Sequence, residues 1–145
     1  MTEVETNSVE ETWELARQFA RHLKPGDVIC LEGDLGAGKT TFVQGLAKAL
    51  GVPGRVTSPN FCIVQEHGKL VHMDLYRLTS EADVLDLGWE DFLARGAIVA
   101  VEWPERAGSL IPSGAHHVVF RHFAATDGNE EKRKIAIDFS PQFVI

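Results

Sequence analysis

Two kinds of apolar pattern alternate along the chain. In residues 8–26, SVEETWELARQFARHLKPG, hydrophobic residues recur three and four positions apart: Trp13, Ala16, Ala20 and Leu23, with Leu15 and Phe19 beside them. That stripe predicts a helix. Ser8 and Glu11 have the spacing of a capping box, and Pro25-Gly26 closes the pattern. DVICL (27–31) is a short, nearly continuous apolar run, as in a strand covered on both faces. KTTFVQGLAKALG (39–51) returns to helical spacing, with Phe42, Val43, Leu46, Ala47 and Leu50 inward and Gly51 as the stop.

FCIVQEH (61–67) and LVHMDLY (70–76) flank a Gly68-Lys69 turn and predict a hairpin. TSEADVLDLGWEDFLARG (79–96) reads as helical with a break near Gly88, and AIVAVE (97–102) as a further buried strand. HHVVFRHF (116–123) and RKIAIDF (133–139) alternate around the polar loop TDGNEEK, a second hairpin. With 145 residues and no repeat, low-complexity tract or linker, the expectation is one α/β domain over residues 1–145.

Composition narrows the class of partner. Apolar residues make up 44% and charged residues 24%, ordinary for a soluble domain. No apolar run approaches the 18 residues of a membrane span. The acidic opening MTEVETNSVEE has no apolar signal core, so a cytoplasmic protein is expected. The net charge of −7 disfavours direct capture of a phosphate backbone, and the one basic triplet, Lys132–Lys134, follows Glu130-Glu131. Cys30 and Cys62 have no metal-ligand spacing and are expected to be buried thiols. His116 and His117, adjacent in a strand, point to opposite faces and would not share an ion.

The candidate chemistry sits between the first strand and the second helix. Gly33-Asp34-Leu35-Gly36-Ala37-Gly38-Lys39-Thr40 fits G-x-x-x-x-G-K-[ST] in the strand–loop–helix context the motif requires. Glycines let the backbone turn its N–H groups inward and approach a ligand closely. With the positive end of the following helix, those amides cradle phosphate oxygens. Lys39 would lie between the β- and γ-phosphates, Thr40 would offer its hydroxyl to Mg²⁺, and Thr41 would contact the α-phosphate. The expected fold is a P-loop NTPase-type domain: a central, mostly parallel sheet with helices on both faces and antiparallel hairpins.

Hydrolysis also needs carboxylates near the metal. Two apolar runs end in acids, LVHMD at Asp74 and AIVAVE at Glu102. Ligands of open α/β sheets gather at the carboxyl ends of parallel strands. Glu102 ends the cleaner run and is favoured as the Walker B-type acid, with Asp74 sharing the metal's water shell or orienting water. The direction of LVHMD relative to the first strand is left open by the sequence.

GDLGAGKTTF, TSPNF (57–61), HMDLYRL (72–78) and VEWPER (101–106), in that order and spacing, together resemble the bacterial TsaE family of tRNA threonylcarbamoyladenosine biosynthesis ATPases. The resemblance runs from the first helix to Ile111-Pro112. It implies an ATP- and Mg²⁺-dependent ATPase that works with two proteins, a threonylcarbamoyl transferase subunit and its paralogous scaffold. Contact with tRNA would be indirect, through that complex, and no membrane is involved. Phosphate binding falls on Gly36 to Thr41 and the metal site on Thr40, Asp74 and Glu102, with Gly33, Ala37, Gly38 and Lys39 in the same loop. TSPNF corresponds to a switch-like loop; Asn60 stands where the family usually has Thr, leaving Thr57 or Ser58 to supply a hydroxyl. Trp103 is expected beside the nucleotide site, a partner or the core, and Thr12 and Arg133 are candidates for the adenine border.

Three rivals use the same loop. A small-molecule kinase needs an acceptor pocket and a lid, for which the stretch after Glu102 is short. A GTPase usually carries N-K-x-D, and no asparagine here precedes a lysine. A nucleotide-sensing adaptor would bind ATP and scarcely turn it over.

Overall fold

The computed structural model describes residues 2–33, 38–52, 64–123 and 134–140, with backbone alone at 2–3, 122–123 and 134–140. Seven strands form one sheet in the order β1-β7-β6-β2-β5-β4-β3. Its centre is parallel: β6 (His116–Phe123), β2 (Val28–Gly33), β5 (Ile98–Glu102) and β4 (Leu70–Asp74) all run the same way. β3 (Val64–His67) pairs antiparallel with β4, and β7 (Lys134–Ser140) pairs antiparallel with β6. Both expected hairpins are present, and the open question about LVHMD is answered: β4 is parallel to β5, so Asp74 and Glu102 leave the sheet at the same end.

The central strands are apolar on both sides because both sides are covered. Ile29, Leu31, Leu70, Ile98, Ala100 and Val118 face α1 (Val9–Ala20) and α2 (Lys39–Ala49). Val28, Cys30, Val71, Met73, Val99 and Val101 face α3 (Glu81–Asp86) and α4 (Trp89–Ala94). Aromatic rings link the first layer: Phe19 lies 5.7 Å from Phe42, and Phe42 lies 5.6 Å from Phe120. Gly45 lets α1 and α2 approach closely, since a Cβ there would stand 2.7 Å from the Ala16 Cβ and 3.0 Å from the Trp13 Cα.

Helix boundaries follow local chemistry. Ser8 accepts from the Glu11 amide at 3.1 Å, while the Glu11 carboxylate reaches back to the Asn7 amide, so α1 begins with two N-terminal donors satisfied. α1 ends at Ala20, one turn before the proline. The break at Gly88 is real: its φ of 100° separates α3 from α4. One element was not anticipated. β1 (Thr2–Thr6) pairs with β7 at the sheet edge, and its polar TEVET offers a single apolar side chain to a pattern search. What pins it is the backbone ladder and a buried contact from Thr6 to Thr12.

Candidate functional site

β2 ends at Gly33 and α2 starts at Lys39, so the glycine-rich loop joins the central strand to the helix beside it. Gly33 has a φ of 128°, and a Cβ there would meet the Phe120 carbonyl oxygen at 2.2 Å. Only glycine lets β2 turn away while still paired with β6. At the other end Gly38 is the N-cap of α2 with φ 90° and contributes no side-chain cap. α2 also carries no acid in its first turn, whereas α1 and α3 open with a capping serine and two acids each. Among the described residues no side chain caps the α2 N-terminus, whose amides and positive dipole end are suited to an anion.

Lys39 is the first residue of that helix, 7% exposed. Its ammonium donates to the Gly33 carbonyl at 3.1 Å and lies 3.6 Å from Glu102 Oε1. Thr40 and Thr41 follow it in the first turn, half-buried. Asp74 and Glu102 are register partners at the ends of β4 and β5, on the sheet face that carries α2. Asp74 is half-buried, and its Oδ1 accepts from the Tyr76 amide at 3.0 Å. Glu102 is buried. Burial pushes its carboxyl up, but the His72 hydrogen bond and the Lys39 charge more than offset this, so the group titrates below the ordinary carboxylate range.

Trp103 is the only non-glycine residue with positive φ among the described residues, at φ 59° and ψ 54°. Its ring lies 4.9 Å from that of exposed Tyr76. Directly after it, Pro104–Arg106 form a 3₁₀ turn. A cavity of about 220 Å³ opens here, bounded by Gly33, Lys39 and Trp103, with Glu32 and Glu105 at its sides. The sequence-derived residues Gly33, Lys39 and Trp103 thus line one hollow, with Glu102 joined to it through Lys39.

Thr12 is 1% exposed; its hydroxyl donates to the Ser8 carbonyl at 3.2 Å and lies 2.8 Å from the Thr6 hydroxyl, fastening β1 to α1. Gly36, Ala37, the TSPNF loop, Cys62 and Arg133 lie outside the described residues. Cys30 is free and buried, as expected, its thiol pushed up to about 12 by burial and by Glu32 and Glu105. His116 pairs with Asp27 at 3.1 Å rather than with His117.

Sequence reasoning overlooked His72. It is fully buried in β4 and sits 2.8 Å from Glu102 Oε2 through Nε2. The signal was available: an imidazole inside an apolar strand, two residues before Asp74, shares that residue's face.

A magnesium ion fits this donor set. It takes oxygen ligands, one or two of them carboxylates, and leaves the rest to water and phosphate. Among the described residues no group of three or more His, Cys, Asp or Glu gathers into an all-protein metal cage. Asp74, Glu102 and Thr40 are the residues that would hold it.

The parallel sheet, the glycine loop running from β2 into α2, and the lysine that opens α2 define a P-loop NTPase-type fold. Over residues 6–135 the chain matches the family described as threonylcarbamoyl adenosine biosynthesis protein TsaE, and it belongs to that family. It is 50% identical over 112 residues to the tRNA threonylcarbamoyladenosine biosynthesis protein TsaE of Aquifex aeolicus, covering 73% of this chain and 79% of the relative. The protein of the same name from Treponema pallidum is 38% identical over 129 residues, 87% of this chain and 94% of the relative. The crystal structure of Bacillus subtilis YdiB superposes with a TM-score of 0.70 at 34% identity, covering 94% of this chain and 83% of that one. No helix among the described residues is long and apolar enough to cross a membrane.

Proposed function

We propose that this chain binds ATP with Mg²⁺ and hydrolyses it, as the ATPase subunit of the assembly that forms threonylcarbamoyladenosine at position 37 of tRNA. The observation that carries the reading is Lys39: a nearly buried ammonium at the start of an uncapped helix, held between the Gly33 carbonyl and Glu102. A polyphosphate laid along the loop takes up the α2 amides and offers Lys39 a better partner than a backbone carbonyl. Magnesium, when bound, supplies positive charge against which phosphate oxygens are stabilised. Glu102 and Asp74 accept hydrogen bonds on that flank and orient water, while Trp103, with the ring of Tyr76 against it, walls the hollow.

The partners of the proposal are a threonylcarbamoyl transferase subunit and its paralogous scaffold, with tRNA held by that complex. Hydrolysis resets or remodels the complex between turnovers, in the cytoplasm. Arg77 and Arg106 are exposed, and among the described residues Lys39 is the basic one lining the hollow. Turnover by the chain alone is therefore slow, since a transition-state arginine can be worth roughly 10³–10⁵ in rate.

The test is phosphate release from ATP and from GTP, with and without the purified partner pair and tRNA. ATP hydrolysis stimulated by the pair is expected. Transfer of phosphate to a small acceptor would make the chain a kinase. Binding without turnover under every condition would make it an adaptor.

A further inference from the structure

The side chain of His72 is an odd choice for its position. It is fully buried, and its Nδ1 has no hydrogen-bond partner among the described residues. An orphaned buried polar atom opposes folding, so an apolar side chain of similar size would suit the core better. The same ring makes one short contact, Nε2 to Glu102 Oε2 at 2.8 Å. A carboxylate only accepts, so Nε2 carries the proton and donates. Ala100, the register partner of His72 on β5, is small enough to leave the ring room beside it.

Each oxygen of Glu102 then has its own neighbour: Oε2 faces the imidazole, and Oε1 faces the Lys39 ammonium 3.6 Å away. These two contacts differ in permanence. Lys39 sits on a flexible stem and is the group a polyphosphate would draw off. His72 is locked in the core. When Lys39 leaves, a glutamate with no other donor would be free to turn, because its terminal torsion is soft.

We propose that His72 is a positioning residue, whose Nε2–H holds Oε2 of Glu102 so that Oε1 keeps the direction in which it now faces Lys39 once that ammonium moves to the nucleotide. This rests on the ATPase reading of Glu102. Residues that orient a metal-site ligand in this way typically carry roughly 10–100-fold in activity or metal affinity.

The test compares His72→Leu, His72→Gln and Glu102→Gln in the full chain. Two quantities are read: single-turnover phosphate release, and the ratio of ADP affinities with Mg²⁺ and with EDTA by calorimetry. In His72→Leu, ADP affinity in EDTA is expected to stay within about twofold of wild type. Turnover and the Mg²⁺ increment should both fall roughly 10–100-fold. His72→Gln, whose amide nitrogen reaches the place of Nε2, should recover most of both, while His72→Leu melts no lower than His72→Gln.

Wild-type turnover and Mg²⁺ increment in His72→Leu would overturn the inference. So would loss of ADP affinity in EDTA together with a lowered melting point, which would mark a packing role. If Glu102→Gln loses turnover while His72→Leu does not, the positioning role alone fails. If Glu102→Gln turns over like wild type, the role given to Glu102 fails as well, and if wild type itself releases no phosphate, the ATPase reading beneath both fails.

Discussion

Gly33→Ala probes the junction on which the site is built. Two costs arise, and the structure separates them. The φ of 128° lies in a region that side-chain-bearing residues rarely enter, worth about 1–3 kcal/mol. The new methyl would also stand 2.2 Å from the Phe120 carbonyl oxygen and 3.0 Å from the Phe120 carbonyl carbon and nitrogen. These are backbone atoms of β6, which cannot rotate aside, so the ladder must shift, at about 1–3 kcal/mol. Together the loss is about 2–6 kcal/mol, a large share of the ~5–15 kcal/mol stability of a domain. At about 2–4 °C per kcal/mol, near 3 °C, this lowers the melting temperature by about 6–18 °C. Gly51→Ala is the internal control. Gly51 has a φ of 70° but nothing within 4 Å of its added Cβ, so only the backbone cost of about 1–2 kcal/mol applies. Thermal unfolding of both variants, followed by circular dichroism, checks the reasoning. Gly33→Ala melting within about 2 °C of Gly51→Ala would refute it, because the contact with β6 would then carry no energy.

Further outcomes follow from other contacts. Gly45→Ala gains about 1 kcal/mol of helix propensity but pushes into Ala16 and the Trp13 backbone, at about 1–3 kcal/mol, so denaturant titration should show a net loss of about 1 kcal/mol. A variant more stable than wild type would mean that α1 and α2 can separate freely. Cys30, with its thiol near 12, should resist a thiol reagent at pH 8 in a Cys62→Ser background until the protein unfolds. Rapid labelling of the native state would show that the α3/α4 face opens. Glu102 is held below the ordinary carboxylate range, so its ionisation stabilises the fold above the unfolded value, about 4.3, and that share is lost as pH falls through the lower folded value. Urea midpoints should therefore separate wild type from Glu102→Gln at pH 7 and converge as pH falls through that lower folded value. A constant separation across that range would deny the shift.

The helices were legible because each buries a face whose period shows in the sequence, and the central strands because burial on both faces leaves a nearly continuous apolar run. The helix over residues 8–20, for example, was marked by both its stripe and its Ser8 cap. Gly33 and Lys39 were legible for a different reason: the loop's spacing is itself the chemistry. β1 was not, since an edge strand held by backbone pairing and one threonine contact leaves almost no apolar trace. Thr12 shows the converse problem. A threonine expected at the adenine border is buried, with its hydroxyl against Thr6, a contact no local pattern announces. Strand direction was equally hidden, because LVHMD has the same pattern whether parallel or antiparallel. That direction decides whether Asp74 and Glu102 meet, and only the ladder with β5 supplies it. His72 escaped notice because its significance lies in a pairing across 30 residues.

The most direct measurement is calorimetric titration of a non-hydrolysable ATP analogue, with Mg²⁺, into wild type and Lys39→Ala. The account predicts saturable one-site binding to wild type and an affinity at least about 100-fold weaker in the variant, the loss expected when a charged partner worth about 3 kcal/mol is removed. Melting temperatures should remain close. Equal affinity in the two proteins, or no binding to wild type, would contradict it.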